Sequence, residues 1–202
     1  MKRIQSILLA ATIFSAPLAA DEIRDQIETG LELYQEQDYG AAITELEFAI
    51  NDIRKLMNEQ IGELFPEAPS GWTAGEVESG GGGAALFGGG GGTMLQRQYR
   101  EDGGRGQLET TLAIDNPMIQ GMAAMFNNPA MLAAQPNIER VRIGRESGIV
   151  KWEPERNRGE ATLLLDGRVL LQVKGQNVDD IDLIIDMIKD WDLRELRART
   201  AR

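Results

Sequence analysis

The stretch ATLLLDGRVLLQV, Ala161 to Val173, decides the fold. Two apolar runs flank Asp166-Gly167. Asp-Gly in that setting is a strong signal for a tight β-hairpin whose two central residues sit at positive φ. As a two-residue turn it sets Leu164 opposite Val169 and Thr162 opposite Leu171, on a face that continues through Val173. Leu163, Leu165 and Leu170 fall on the other face. A hairpin that is apolar on both sides needs cover on both sides, which predicts a central place in a sheet.

Strand signals lie on the N-terminal side of this hairpin. Val141 and Ile143 alternate with Arg140, Arg142 and Gly144, and Gly148 leads into Ile149-Val150-Lys151-Trp152. Leu108, Thr110, Leu112 and Ile114 alternate with Glu109, Thr111 and Ala113, a half-buried strand. Met94 to Arg100 alternates too, with Leu95, Arg97 and Tyr99 on one face and a turn at Glu101-Asp102-Gly103-Gly104. Asn116-Pro117 starts a helix, with Asn116 as N-cap and Pro117 at the first helical position. Asn128-Pro129 repeats that signal for a short helix to about Ala134. After the hairpin, Val178 to Arg197 reads as one helix burying Ile181, Ile184, Ile185, Ile188 and Trp191. Its first turn is acidic and its last basic, as the macrodipole prefers. Residues 74–202 are therefore expected to form an α+β domain of about six antiparallel strands with packed helices, in the order ββ-α-ββββ-α.

Residues 21–64 contain no Pro and are rich in helix formers. Ile23, Ile27, Gly30, Leu31 and Tyr34 recur at helical spacing. So do Ala42, Ile43, Leu46, Ala49, Ile50, Ile53 and Met57 after a break at Gln37 to Gly40. Asp38 is placed to cap the second helix. Gly30, Leu33, the Asp38-Tyr39 turn, Ala42, Leu46 and Ala49 together resemble a single tetratricopeptide repeat, without its closing Pro. That resemblance covers about a sixth of the chain and implies protein–protein contact. One repeat cannot bury its own apolar face, so the hairpin is expected to pack on the next domain, another subunit or a partner. For residues 74–202, the Gly-Trp entry and the final amphipathic helix are loosely similar to PsbP-like α/β sandwiches and to uncharacterised exported bacterial proteins. Neither likeness brings a catalytic motif.

Residues 65–73 read as a linker, broken by Pro66 and Pro69. In Gly75 to Gly92, ten of 18 residues are Gly, and glycine loses the most backbone entropy on ordering. The expectation is a loop with an apolar tip at Leu86 and Phe87. No Gly-Lys-Ser/Thr follows the glycines, so it is not a phosphate-binding loop.

At the N-terminus, Lys2 and Arg3 precede an apolar run from Ile7 to Phe14 and the small-residue stretch SAPLAA before Asp21. This is the layout of a signal peptide over residues 1–20. The run is much shorter than the ~20 apolar residues of a membrane span. The expected location is the periplasm, and with no Cys the protein cannot be a lipoprotein.

The 202 residues include no His and no Cys. Histidine-dependent triads, thiolate chemistry, common zinc sites and His- or Cys-ligated haem are therefore excluded. None of the five Ser has a Lys three positions on, and a net charge of −11 does not suit nucleic acid. Asp182, Asp186 and Asp190 lie along one helix face and read as solvated. Met118, Met122 and Met125 at i, i+4 and i+7 could hold Cu(I) in principle, but among Ile119, Ala123 and Phe126 they read as packing or an adaptable contact surface. No catalytic, metal or cofactor residues are expected, and no cofactor. The function expected is that of a non-catalytic periplasmic binding or adaptor protein with an envelope or periplasmic protein as partner. Its contacts are expected at Tyr34, Tyr39, Leu86, Phe87, Met118, Met122 and Met125. The alternative is a carrier of a lipid or other apolar small molecule, with the glycine-rich loop as lid.

Overall fold

A computed structural model describes residues 18–79, 92–126, 128, 132 and 137–201; the side chains of residues 18–21, 118 and 125 lie outside that description. The chain divides into two compact units between Met57 and Asn58.

The first unit is a helical hairpin of α1 (Leu18–Gln35) and α2 (Tyr39–Gly62), whose last turn belongs to the second unit. The chain reverses through Gln37 at φ 66°. The Asp38 carboxylate then accepts the Ala41 N–H at 3.1 Å, so the expected N-cap is in place. The seam between the helices is lined by Ile23, Gly30, Ala42 and Ala49, all buried. Gly30 leaves room for Leu46, since a Cβ there would lie 2.8 Å from Leu46 Cγ and force that side chain to shift. Across the seam the Gln26 amide donates to Asp52 at 3.1 Å.

The second unit is built on one antiparallel sheet. Its strands are β1 (Trp72–Ser79), β2 (Thr93–Glu101), β3 (Gln107–Ile114), β4 (Ile138–Ile143), β5 (Glu146–Glu153), β6 (Arg158–Leu165) and β7 (Val169–Gln176). The order across the sheet is β1-β2-β3-β7-β6-β5-β4. The expected hairpin is β6–β7, and β7 is indeed the middle strand. Two C-terminal helices, α4 (Ile181–Lys189) and α5 (Leu193–Thr200), pack with this sheet. They bury Ile184, Met187, Ile188 and Leu196. Gly159 and Gly175 are cross-strand partners that open a flat patch for α4. A Cβ on either would come within 2.7 Å of Ile184 Cδ1. Ile61, Phe65 and Trp191 are buried too, and the rings of Phe65 and Trp191 lie 4.7 Å apart. On the opposite face α3 (Pro117–Phe126) sets Ile119 against Ala113 and Leu170, with Met122 and Leu164 beside them. Beyond that cluster this face turns polar, with the Gln172 amide donating to Glu160 at 2.8 Å.

Three expectations change. The sheet has seven strands rather than about six, because Trp72 to Ser79 pairs with β2 across a bulge between Ala74 and Val77. The two-residue register of the hairpin is off by one. Leu165 pairs with Val169, Leu164 with Leu170 and Thr162 with Gln172. Asp166 and Gly167 do take positive φ, and Arg168 N–H closes the turn on Leu165 O at 3.0 Å. Arg168 itself bulges out of the ladder. Its carbonyl accepts the Asp115 N–H at 2.9 Å, and its guanidinium grips the Asp115 carboxylate at 2.8 and 2.7 Å. The shift brings Leu163, Leu165, Val169, Leu171 and Val173 to one face, all buried. The final helix is two helices, since Asp192 caps a new start by accepting from Arg194 N–H and Glu195 N–H. Within residues 65–73, Phe65 and Pro66 are buried. The short helix expected from Asn128 to Ala134 falls mostly outside the described residues, as does the loop tip.

Candidate protein-contact surface

The packing of the hairpin leaves a specific surface over. Gly30, Ala42 and Ala49 bring α1 and α2 close, and most of the larger apolar residues stay outside the seam. In α1 these are Ile27, Leu31 and Tyr34, at i, i+4 and i+7, which is one face of a helix. In α2 they are Tyr39, Ile43, Leu46, Ile50 and Ile53, spaced by four, three, four and three. All eight are exposed, from 38% at Leu46 to 60% at Tyr34.

The two stripes form one face. Tyr34 and Tyr39 meet with ring centroids 5.7 Å apart, and Leu46 crosses the seam to lie over Gly30. Phe48 is also exposed, but nine positions after Tyr39 it points to the opposite side of α2. At typical residue areas of about 200 Å², the eight side chains expose on the order of 800 Å², what one partner gives to a standard protein interface. Contiguous apolar patches of this size mark interaction sites.

Acidic residues border the face. Glu28, Glu32 and Glu47 each follow a stripe residue by one position, about 100° round the helix, and all are exposed. Residues 22–57 carry nine Asp or Glu against three Arg or Lys.

Of the seven contact residues expected from sequence, the structure brings together Tyr34 and Tyr39. Leu86 and Phe87 lie outside the described residues. Met118 and Met125 sit on α3, with side chains outside the description. Met122 is half-buried against the Ala113, Ile119 and Leu170 cluster. Sequence reasoning placed Ile27, Leu31, Ile43, Leu46, Ile50 and Ile53 on apolar helix faces that the hairpin cannot bury by itself, without naming them as contact residues. A signal was present: more large apolar residues share that face than a two-helix seam closed by Gly and Ala can cover.

The second unit offers less. Its described hollows, about 100 and 200 Å³, are bordered by charged and amide residues such as Arg100, Glu109, Lys151, Glu160, Lys174 and Gln176. Pockets for drug-sized ligands start at about 300 Å³ and are mostly apolar. Asp182, Asp186 and Asp190 are exposed, with Asp186 paired to Lys189 at 2.7 Å. Among the described residues no three acidic, His or Cys side chains are grouped to hold a metal, and no helix is long and apolar enough to cross a membrane. The titratable groups with perturbed behaviour are structural. Tyr99 is fully buried, donates to Pro66 O at 2.7 Å, and has its pKa raised by burial. Arg197 bridges Asp166 and Glu146 at 2.8 and 2.6 Å, and those bonds raise its pKa.

No known protein-family model matches the chain, and no curated protein or solved structure shows significant similarity to it.

Proposed function

We propose that this protein is a non-catalytic adaptor of the periplasm that acts through protein–protein contact at its helical hairpin. The observation behind this is the exposed face of Ile27, Leu31, Tyr34, Tyr39, Ile43, Leu46, Ile50 and Ile53. Leaving that much apolar area in water has no folding benefit, because burial is the main favourable term in both folding and association. The sheet unit buries its own apolar residues and serves as a rigid base. Two hollows of the sheet unit, about 100 and 200 Å³, are smaller than pockets for drug-sized ligands and lend the carrier alternative less support.

Site-specific photocrosslinking in the native host tests the proposal. A crosslinking residue at Leu31 or Ile43 should give a discrete adduct with one envelope or periplasmic protein. The same residue at Asp182, on the sheet unit, should not. The adaptor function is refuted by absence of an adduct at both hairpin positions, or by the same adduct at Asp182.

A further inference from the structure

We infer that the occupant of the hairpin face is an amphipathic helix of another protein, with an apolar stripe flanked by Lys or Arg. This rests on the protein-contact function proposed above and specifies the partner's chemistry.

Shape comes first. The α2 stripe runs from Tyr39 to Ile53, about 21 Å at 1.5 Å per residue. The α1 stripe lies beside it across a seam lowered by Gly30, Ala42 and Ala49. Two ridges of Ile, Leu and Tyr side by side, with Leu46 lapping over Gly30 between them, make an apolar face on which a third helix can lie with its side chains at i, i+3, i+4 and i+7. A helix of about 14 to 18 residues matches that length.

Charge decides between the possible occupants. The rim carries Glu28, Glu32 and Glu47, with Glu36 and Asp38 at the turn end, all exposed. A second copy would bring an identical acidic rim against this one, with −11 on each chain, and like charges across an interface are costly. An anionic membrane surface is repelled for the same reason. A helix flanked by Lys or Arg is attracted along the part of the rim that carries Glu28, Glu32, Glu36, Asp38 and Glu47. Near the far end, Arg54 and Lys55 reverse the sign, which favours one direction of the docked helix.

The test uses the full chain and two synthetic helical peptides of about 18 residues with the same Leu stripe, one flanked by Lys and one by Glu. Fluorescence anisotropy at about 0.05 M salt keeps exposed charges weakly screened. The Lys-flanked peptide should bind at least about tenfold tighter than the Glu-flanked one. The double substitution Ile43→Asp and Ile50→Asp should weaken it about twentyfold or more, whereas Phe48→Ser changes it less than about twofold. Glu28→Lys, Glu32→Lys and Glu47→Lys together should reverse the preference. Circular dichroism of each variant checks that the helices persist.

Equal binding of the two peptides, or undiminished binding by the Asp double variant, overturns the inference. So does a sedimenting dimer of the full chain that dissociates in that variant, since a second copy would then cover the face. If a crosslinked partner persists at Leu31 and Ile43 while the peptides fail to discriminate, the partner's chemistry is wrong and the adaptor function stands. Without that adduct, the adaptor function itself is refuted.

Discussion

The two units of this chain treat apolar side chains in opposite ways. In the sheet unit no described Ile, Leu, Val, Met, Phe, Tyr or Trp whose side chain is placed is exposed, and the central residues Leu163, Leu171, Ile184 and Ile188 are fully buried. The hairpin unit exposes nine large apolar residues. The sheet has helices to cover it, and glycines let them approach. The hairpin closes on Gly30, Ala42 and Ala49, so its larger residues remain at the surface. One unit buries its apolar side chains, and the other leaves a face of them at the surface.

Substitutions in the two units should therefore behave differently. The largest effect is expected at Leu171 in the middle of β7. Leu171→Ala removes a fully buried side chain, at a cost of about 2 to 5 kcal/mol. The urea midpoint should fall with little change in slope. Gly175→Val comes next. Its side chain would have to occupy the space of Ile184 Cδ1, 2.6 Å from the added Cβ, and over-packing of this kind costs about 1 to 3 kcal/mol. Hydrogen exchange should then quicken in α4, the helix displaced.

Tyr99→Phe should have a smaller, pH-dependent effect. Loss of the bond to Pro66 O costs about 1 kcal/mol at neutral pH. In the wild type burial raises the Tyr99 pKa, so the unfolded chain loses this proton first, near pH ~10. The Tyr99 contribution is complete below that pH and is lost as pH rises toward the folded-state pKa. Stability should therefore fall more steeply above pH ~10 in the wild type than in Tyr99→Phe, as read by denaturant titration at several alkaline pH values.

The smallest effect on stability is expected at Ile43. Ile43→Ser removes a side chain that is 57% exposed, and surface changes of this kind stay within about 0.5 kcal/mol. Yet it should weaken partner capture. If Ile43→Ser destabilises the chain as much as Leu171→Ala does, the hairpin face is packed in the isolated protein and the contrast between the units fails.

Several of these features were legible from local sequence. The helical spacing and the Asp38 cap marked the hairpin, Asn116-Pro117 marked α3, and alternation marked most strands. Asp166-Gly167 marked the central turn, because positive φ at two successive residues restricts which side chains can sit there. Others depended on distant residues. Glu76 and Glu78 do not read as a strand, but the open edge of β2 recruits them as an edge strand, where one side faces solvent. The hairpin register followed from Asp115, 53 positions from its ion-pair partner Arg168, which pulls one residue out of the ladder. The break in the final helix came from the Asp192 cap and the burial of Trp191 against Phe65.

The candidate contact surface was legible only in part. Tyr34 and Tyr39 stood out by type, but the six aliphatic residues beside them share the pattern of any core face.

The sequence by itself determined the α+β class, the helical hairpin ahead of it and the chemistries that a chain without His or Cys cannot use. These depend on side-chain type and on periods of two and 3.6, which are local properties. Tertiary structure alone decided the register of β6 and β7, the seventh strand and which apolar residues stay at the surface. Each of these depends on how closely two backbones approach, and that distance is set by residues far apart in the chain.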